Sequence, residues 1–234
     1  SMSAQEVIAQ LKSFATPERK KINEYFFKTG KGQYSQFDQF IGVRTPQIRL
    51  IAKQHQSIAF NEIDQLINSA LHEVRFCGLI ILINQYQAGN TKIVFDYYLQ
   101  NLHAVNNWDL VDYSAPHIVG DYIFHHQDKL GLLFDLSHSE NLWHKRIAIV
   151  ATFYFIKQSE FNPTFTIGKT LLNDKHDLIH KAVGWMFREI YKKNNKACKV
   201  FLRENYAQLP RTTLRYAIER MNQSERLRYL KGEF

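Results

Sequence analysis

An internal repeat constrains this chain more than any other feature. Four segments open with a basic residue and continue through small and apolar ones: Arg75-Phe-Cys-Gly-Leu-Ile-Ile-Leu, Arg146-Ile-Ala-Ile-Val-Ala-Thr-Phe, Lys181-Ala-Val-Gly-Trp-Met-Phe-Arg and Arg215-Tyr-Ala-Ile-Glu-Arg-Met. Their starts are separated by 71, 35 and 34 residues. The first gap holds two periods, which places a further unit near residue 111, where Trp108-Asp-Leu-Val-Asp112 lies. A unit of this length accommodates two helices, neither of which can bury its apolar face alone. Stacking neighbouring units is the physical remedy, and a stack of helix pairs is the expected architecture.

The local patterns agree. Val7, Ile8, Leu11 and Phe14 fall at helical spacing, so Glu6 to Phe14 reads as an amphipathic helix. Pro17 suits the first position of a helix running to about Lys28, and Thr45-Pro46 opens another with Thr45 as its cap. The Gly-, Gln- and Ser-rich stretch from Thr29 to Val43 reads as a loop with short helical pieces. Alternating strand patterns and Asn-Gly hairpin turns are missing. The expectation is an all-α fold: a HEAT-like α-solenoid of paired antiparallel helices, curved around a concave basic groove. Ser1 ahead of Met2 reads as a remnant of tag removal, which sets a single repeat domain at residues 2–234.

Charge narrows the partner. The chain carries 30 Lys and Arg against 22 Asp and Glu, a formal charge of +8, which favours an anionic surface. If the units stack in phase, Arg75, Asp112, Arg146 and the Lys181/Trp185 turn occupy corresponding faces of successive helices and line one groove. Arg49, Lys53, Arg75, Lys145, Lys181, Arg188, Arg211 and Arg215 are the candidate phosphate contacts. For any single one of them a solvated helix face is an equal alternative.

Other classes are excluded or disfavoured. Two cysteines, Cys77 and Cys198, with no CxxC pair fit neither a disulfide framework nor a Cys-based zinc site, and they suit a reducing cytoplasm. His176 and His180 share a helix face but have no third ligand, so no metal is expected. No apolar run approaches the ~20 residues of a membrane span, and the basic-then-apolar pattern of a signal peptide is missing.

Chemistry centres on Asn106-Asn-Trp-Asp-Leu-Val-Asp112. Asn106 or Asn107 can cap a helix, and Asp109 suits its first turn through the helix dipole. Asp112, one turn beyond Trp108, has neither explanation. Composition and spacing leave it open between a structural salt bridge, Arg146 being the natural partner, and a functional carboxylate. Trp108 and Trp185 are open in the same way between core and site.

Four motifs in order carry a family resemblance: Phe40-Ile-Gly-Val-Arg-Thr-Pro46, Trp108-Asp-Leu-Val-Asp112, Leu142-Trp-His-Lys-Arg-Ile-Ala-Ile149 and His180-Lys-Ala-Val-Gly-Trp-Met-Phe-Arg-Glu189. Together they resemble the AlkD-like DNA alkylation-repair glycosylases, over nearly the whole chain. The resemblance implies release of cationic alkylated purines, N3-methyladenine and N7-methylguanine, from duplex DNA by a monofunctional enzyme. It implies Asp112 as catalytic carboxylate, Trp108 and Trp185 as aromatic contacts to the cationic nucleotide, and Arg146 as a phosphate grip. It also implies work on the exposed sugar and backbone rather than on a base flipped into a tight pocket. No cofactor, membrane or obligate protein partner is implied, and a monomer is expected. One departure stands out: where the best-known members carry a second aromatic before the first tryptophan, this chain has Asn107. A catalytically inert DNA-binding relative stays open on that account, and a protein-interaction scaffold less so.

Overall fold

A computed structural model describes residues 3–234, so Ser1 and Met2 lie outside the described residues. Every regular element among them is helical, and the single β-like contact is an isolated parallel bridge between Gln39 and Leu71. The backbone separates into two compact units, one ending at Leu110 and one running Val111–Phe234.

The first unit holds α1 (Ala4–Ser13), α2 (Pro17–Phe26), α3 (Thr45–Gln54), α4 (Phe60–Ile67), α5 (His72–Gln87) and α6 (Thr91–Gln100). Ser3 and Thr16 cap α1 and α2 through their hydroxyls, with Pro17 in the first turn of α2. Thr45 is itself helical and Arg44 is the residue before α3, one position earlier than the expected cap. The Arg44 carbonyl accepts from the Gln47 and Ile48 amides, each at 3.1 Å, so the helix begins without a side-chain cap from Thr45, while the Gln47 side chain reaches back to the Arg44 amide at 3.4 Å. The centre of this unit is α5, which packs against α1, α3, α4 and α6. Thirteen of its 16 residues are buried, so it is enclosed all round rather than on one stripe, with His72, Glu73 and Arg75 the charged members near its start.

α7 (Trp108–Ala115) straddles the division. A π-helical turn, Pro116–Gly120, follows it directly and leads into α8 (Asp121–Phe124). Pro116 has no N–H to continue the α-helical ladder, and a widened turn is a common accommodation. The second unit continues with α9 (Gly131–Ser137), α10 (Leu142–Lys157), α11 (Asn162–Leu171), α12 (Asp177–Lys193), α13 (Asn195–Glu204), α14 (Arg211–Ala217) and α15 (Gln223–Lys231). Within it α10 packs on α12 and α12 on α14, while α9 packs on α11, which gives two layers of helices. Gly184 permits the close approach of α12 and α14: a Cβ there would lie 2.6 Å from the Thr213 carbonyl oxygen and from the Tyr216 Cβ.

The starts of α5, α7, α10, α12 and α14 fall at residues 72, 108, 142, 177 and 211, steps of 34 to 36 residues. The repeat read from sequence is thus the spacing of the second helix of each pair.

Candidate active site

In the second unit, Asp112 on α7 meets Arg146 in the first turn of α10. Nε of Arg146 donates to Oδ1 at 2.9 Å and Nη2 to Oδ2 at 2.8 Å, a two-pronged grip that fixes the plane of the carboxylate. Nη1 donates to the Leu178 carbonyl in the first turn of α12, which ties three helices to one guanidinium. Arg146 is 6% exposed, whereas the Asp112 side chain keeps 18%. The carboxylate therefore faces the surface while its cation lies beneath it. The phosphate grip expected of Arg146 gives way here to a grip on Asp112.

Trp185 lies elsewhere along α12. It packs on Phe153 with ring centroids 5.9 Å apart. Both residues sit seven positions beyond the Leu178–Arg146 contact, about 10 Å along the helix axes. Lys145 pairs with Asp174, whose ionised form is opposed by burial but stabilised more strongly by that lysine and by the His176 amide. Lys181 pairs with Asp177 on its own helix at 3.1 Å. Arg188 pairs with Glu219 and lies over the Tyr216 ring. Arg211 donates to the Leu230 carbonyl, and Arg215 is exposed. His176 caps α12, its Nδ1 accepting from the Leu178 amide, and among the described residues no cluster of His, Cys, Asp and Glu could hold a metal.

The first unit holds Trp108 in an aromatic and ionic cluster. Trp108 is half-buried. It stacks on Phe27 at 5.0 Å, meets Phe26 edge-on at 5.6 Å, and donates its indole N–H to the Tyr34 hydroxyl at 3.1 Å. Asn107 is 1% exposed. Its oxygen accepts from the Trp108 amide, and its nitrogen donates to Ser35 Oγ at 2.7 Å and Asp38 Oδ2 at 3.0 Å. Asn107 is thus a buried polar clamp, with its hydrogen-bonding groups matched.

Beneath it His72 bridges two carboxylates, Asp38 through Nδ1 and Asp109 through Nε2, each at 2.7 Å. Burial opposes its protonation, but Asp109 and then Asp38 outweigh that and raise its pKa to about 9. Burial likewise opposes ionisation of Asp38, yet His72 and then Arg75 hold its carboxyl at about 2. Two carboxylates against one imidazolium and one guanidinium leave the cluster neutral, the condition for burying charge at tolerable cost.

This corrects the expectation for Arg75. It is 6% exposed, donates to Asp38 at 2.8 Å and to the Ser69 and Ala70 carbonyls, and points inward instead of to a phosphate. Arg49 and Lys53 do face solvent, one turn apart on α3, beside an open cavity of about 430 Å³ with Leu50 and Ile80 on its walls.

The motif Phe40–Pro46 is held from below. Glu73, buried, accepts from the amides of Ile41 (3.0 Å), Gly42 (2.7 Å) and Val43 (3.0 Å). Three successive amides converging on one carboxylate form a nest. Phe40 stacks on the His72 ring at 4.4 Å, so an aromatic face meets the imidazolium.

With this geometry in view, comparison with known proteins is informative. Residues 7–221 match the family described as DNA alkylation repair enzyme. The chain belongs to that family. A solved structure described as a predicted DNA alkylation repair enzyme from Enterococcus faecalis is similar in fold, with a TM-score of 0.72 over 89% of this chain and 97% of that one, at 17% identity. A comparison with curated protein sequences returns no match. In this DNA alkylation repair family member, no helix among the described residues is long and apolar enough to cross a membrane.

Sequence reasoning missed His72, Asp38, Asn107 and Tyr34 as parts of one cluster. The only signal was Asn107, a polar residue where a relative has an aromatic. Asp109 was accounted for by the helix dipole, which is true of its place in α7 and silent about its bond to His72.

Proposed function

We propose that this protein is a monofunctional DNA glycosylase that hydrolyses the N-glycosidic bond of cationic alkylated purines, N3-methyladenine and N7-methylguanine, in duplex DNA. The observation that carries the reading is the Asp112 carboxylate: part-exposed, fixed in orientation by Arg146, and one helical turn beyond Trp108.

The chemistry asks for such a group. The bond from C1′ to the base nitrogen breaks with its electron pair leaving on the base, which departs neutral because it began as a cation. Positive charge stays on the deoxyribose, where a fixed carboxylate stabilises it, an effect commonly worth 10²–10³ in rate. Water then adds to C1′ and loses its proton. The part-exposed edge of Asp112 is where that water would be oriented. Trp108 offers an electron-rich face to the cationic nucleotide, worth about 1–2 kcal/mol when desolvated, and Trp185 would act in the same way. In this reading Arg146 positions Asp112. Arg49, Lys53, Lys181, Arg211 and Arg215 follow the phosphate backbone, and affinity falls steeply with salt. A HEAT-like solenoid acting as a monomer in a reducing cytoplasm suits two buried free thiols.

A second reading has its own support. Arg146 engages both oxygens of Asp112, and that pair would serve equally as a structural ion pair in an inert DNA-binding relative. The test is release of free methylated bases from methylated duplex DNA, with Asp112→Asn alongside. Release by the native protein that falls ~100-fold or more in the variant, with DNA binding kept, upholds the glycosylase. Binding with no release above the spontaneous rate upholds the inert relative.

A further inference from the structure

We infer that the buried Asp38–His72–Asp109 bridge is a positioning device for Trp108, so that His72 sets the aromatic surface offered to the nucleotide although it touches no substrate. The inference rests on the glycosylase reading for its effect on catalysis, and on geometry alone for its effect on Trp108.

Three routes run from His72 to that indole. The first is Asp109, the neighbour of Trp108 in the first turn of α7, whose second oxygen accepts from the Leu110 amide at 2.8 Å. The second is Asp38, which also accepts from Asn107, and Asn107 in turn accepts from the Trp108 amide. The third is packing: Phe27 lies 5.0 Å from both the His72 and the Trp108 ring. A fourth contact comes from the loop that Asp38 and Ser35 anchor, since Tyr34 there accepts the indole N–H. A fold anchor needs one such connection. Convergence of four on one half-exposed ring, with its rotamer and its N–H both fixed, is the arrangement a binding surface requires.

The charge state of His72 matters to the two routes that run through its nitrogens. As an imidazolium it donates to both carboxylates, whereas neutral imidazole has one N–H and turns a lone pair toward the other carboxylate, which keeps only its remaining donors. The charged groups facing it are Asp38 from the loop, with Arg75 of α5 behind it, and Asp109 from α7. Phe27, Phe40 and Phe76 enclose the rest of the ring. Deprotonation therefore loosens the start of α7 or the Ser35–Asp38 loop, and Trp108 with it.

The test reads Trp108 directly. Replacing Trp143 and Trp185 by Phe leaves Trp108 as the sole tryptophan of three. Adding Tyr34→Phe removes the phenol in contact with the indole as a quencher. Emission and acrylamide quenching, followed from pH 6 to 10.5 with circular dichroism to monitor folding, should show a transition near pH 9 in the folded protein. Asp109→Asn removes the largest favourable charge and should move the midpoint down by about a unit or more. In the otherwise native protein, kcat/KM on methylated DNA should fall through the same midpoint, and Tyr34→Phe should lower kcat/KM several-fold with little change in melting temperature. A flat Trp108 signal between pH 7.5 and 10, or a midpoint indifferent to Asp109→Asn, overturns the inference. If Trp108 titrates as described but the native protein releases no base, the positioning device stands and the glycosylase reading falls. Base release without the transition has the opposite meaning.

Discussion

Glu73→Gln probes the nest beneath the Phe40–Pro46 motif. Oε2 of Glu73 accepts from Gly42 at 2.7 Å, Val43 at 3.0 Å and the Asn23 side chain at 3.4 Å, while Oε1 accepts from Ile41 at 3.0 Å. Glutamine can keep its oxygen toward Gly42 and Val43, but its NH₂ then opposes the Ile41 N–H. One part-buried donor loses its acceptor, at about 1–3 kcal/mol, and two charge-assisted bonds become neutral ones, each weaker by about 1 kcal/mol. Relief from burying a charge offsets part of this. The net expectation is a loss of about 2–4 kcal/mol, which lowers the melting temperature of a chain this size by roughly 4–16 °C. Urea unfolding read by Trp108 emission, with Trp143 and Trp185 replaced by Phe, isolates the first unit, and circular dichroism reads the whole. Glu73→Ala, which leaves all three amides without this acceptor, should cost more. A loss below about 1 kcal/mol for Gln, or equal losses for Gln and Ala, would refute the reasoning.

Three further outcomes follow from the same geometry. The folded pKa of Asp38, about 2, lies below its ordinary 3.8, so its contribution is complete above pH 3.8 and is lost as pH falls through 2. That of His72, about 9, lies above 6.5, so its contribution is complete below pH 6.5 and is lost as pH rises through 9. Thermal melts across pH should therefore peak between about 4 and 6.5 for the transition seen by Trp108, and a peak above pH 8 would reject this assignment. Gly42→Ala should destabilise by at least about 2 kcal/mol by urea titration, because φ is +94° and a Cβ would sit 2.3 Å from the Thr16 oxygen. Arg146→Lys loses the two-pronged hold on Asp112 and should lower kcat/KM by about tenfold to a hundredfold while duplex binding persists; native rates would remove Arg146 from the mechanism.

The helical period was legible because it is written in side-chain type. In α10, α12 and α14 a basic residue at the fifth position, Arg146, Lys181 and Arg215, is followed by small and apolar ones, so these helices declare themselves in the chain. The pairing of Asp112 with Arg146 was legible as an alternative, because a carboxylate in mid-helix needs a partner and the repeat brings that arginine into phase. Arg75 obeys the same repeat yet turns inward. What decides its direction is Asp38, which lies in a loop with no periodicity to relate it to residue 75. The His72 bridge was illegible for the same reason. It joins a loop residue, the first residue of α5 and the second of α7, and local spacing carries no record of such contacts. Family resemblance singled out Asn107 by what it replaces, but only the folded chain shows the Ser35–Asp38 loop as its partner.

The same bridge bears on how the chain comes together during synthesis. Asp38 emerges from the ribosome long before His72 and Arg75, and Asp109 arrives later still. Until then a carboxylate destined for burial stays hydrated, and the segment around it has no reason to leave water. Completion of the ion cluster, though not the packing of α1, α3 and α4 on α5, therefore waits for the start of α7. A nascent chain arrested with α6 exposed but residue 109 still in the tunnel should lack the Asp109 and Asn107 contacts, and remain more open to proteases between Thr29 and Asp38 than the finished chain, while Glu73 already holds Ile41 to Val43.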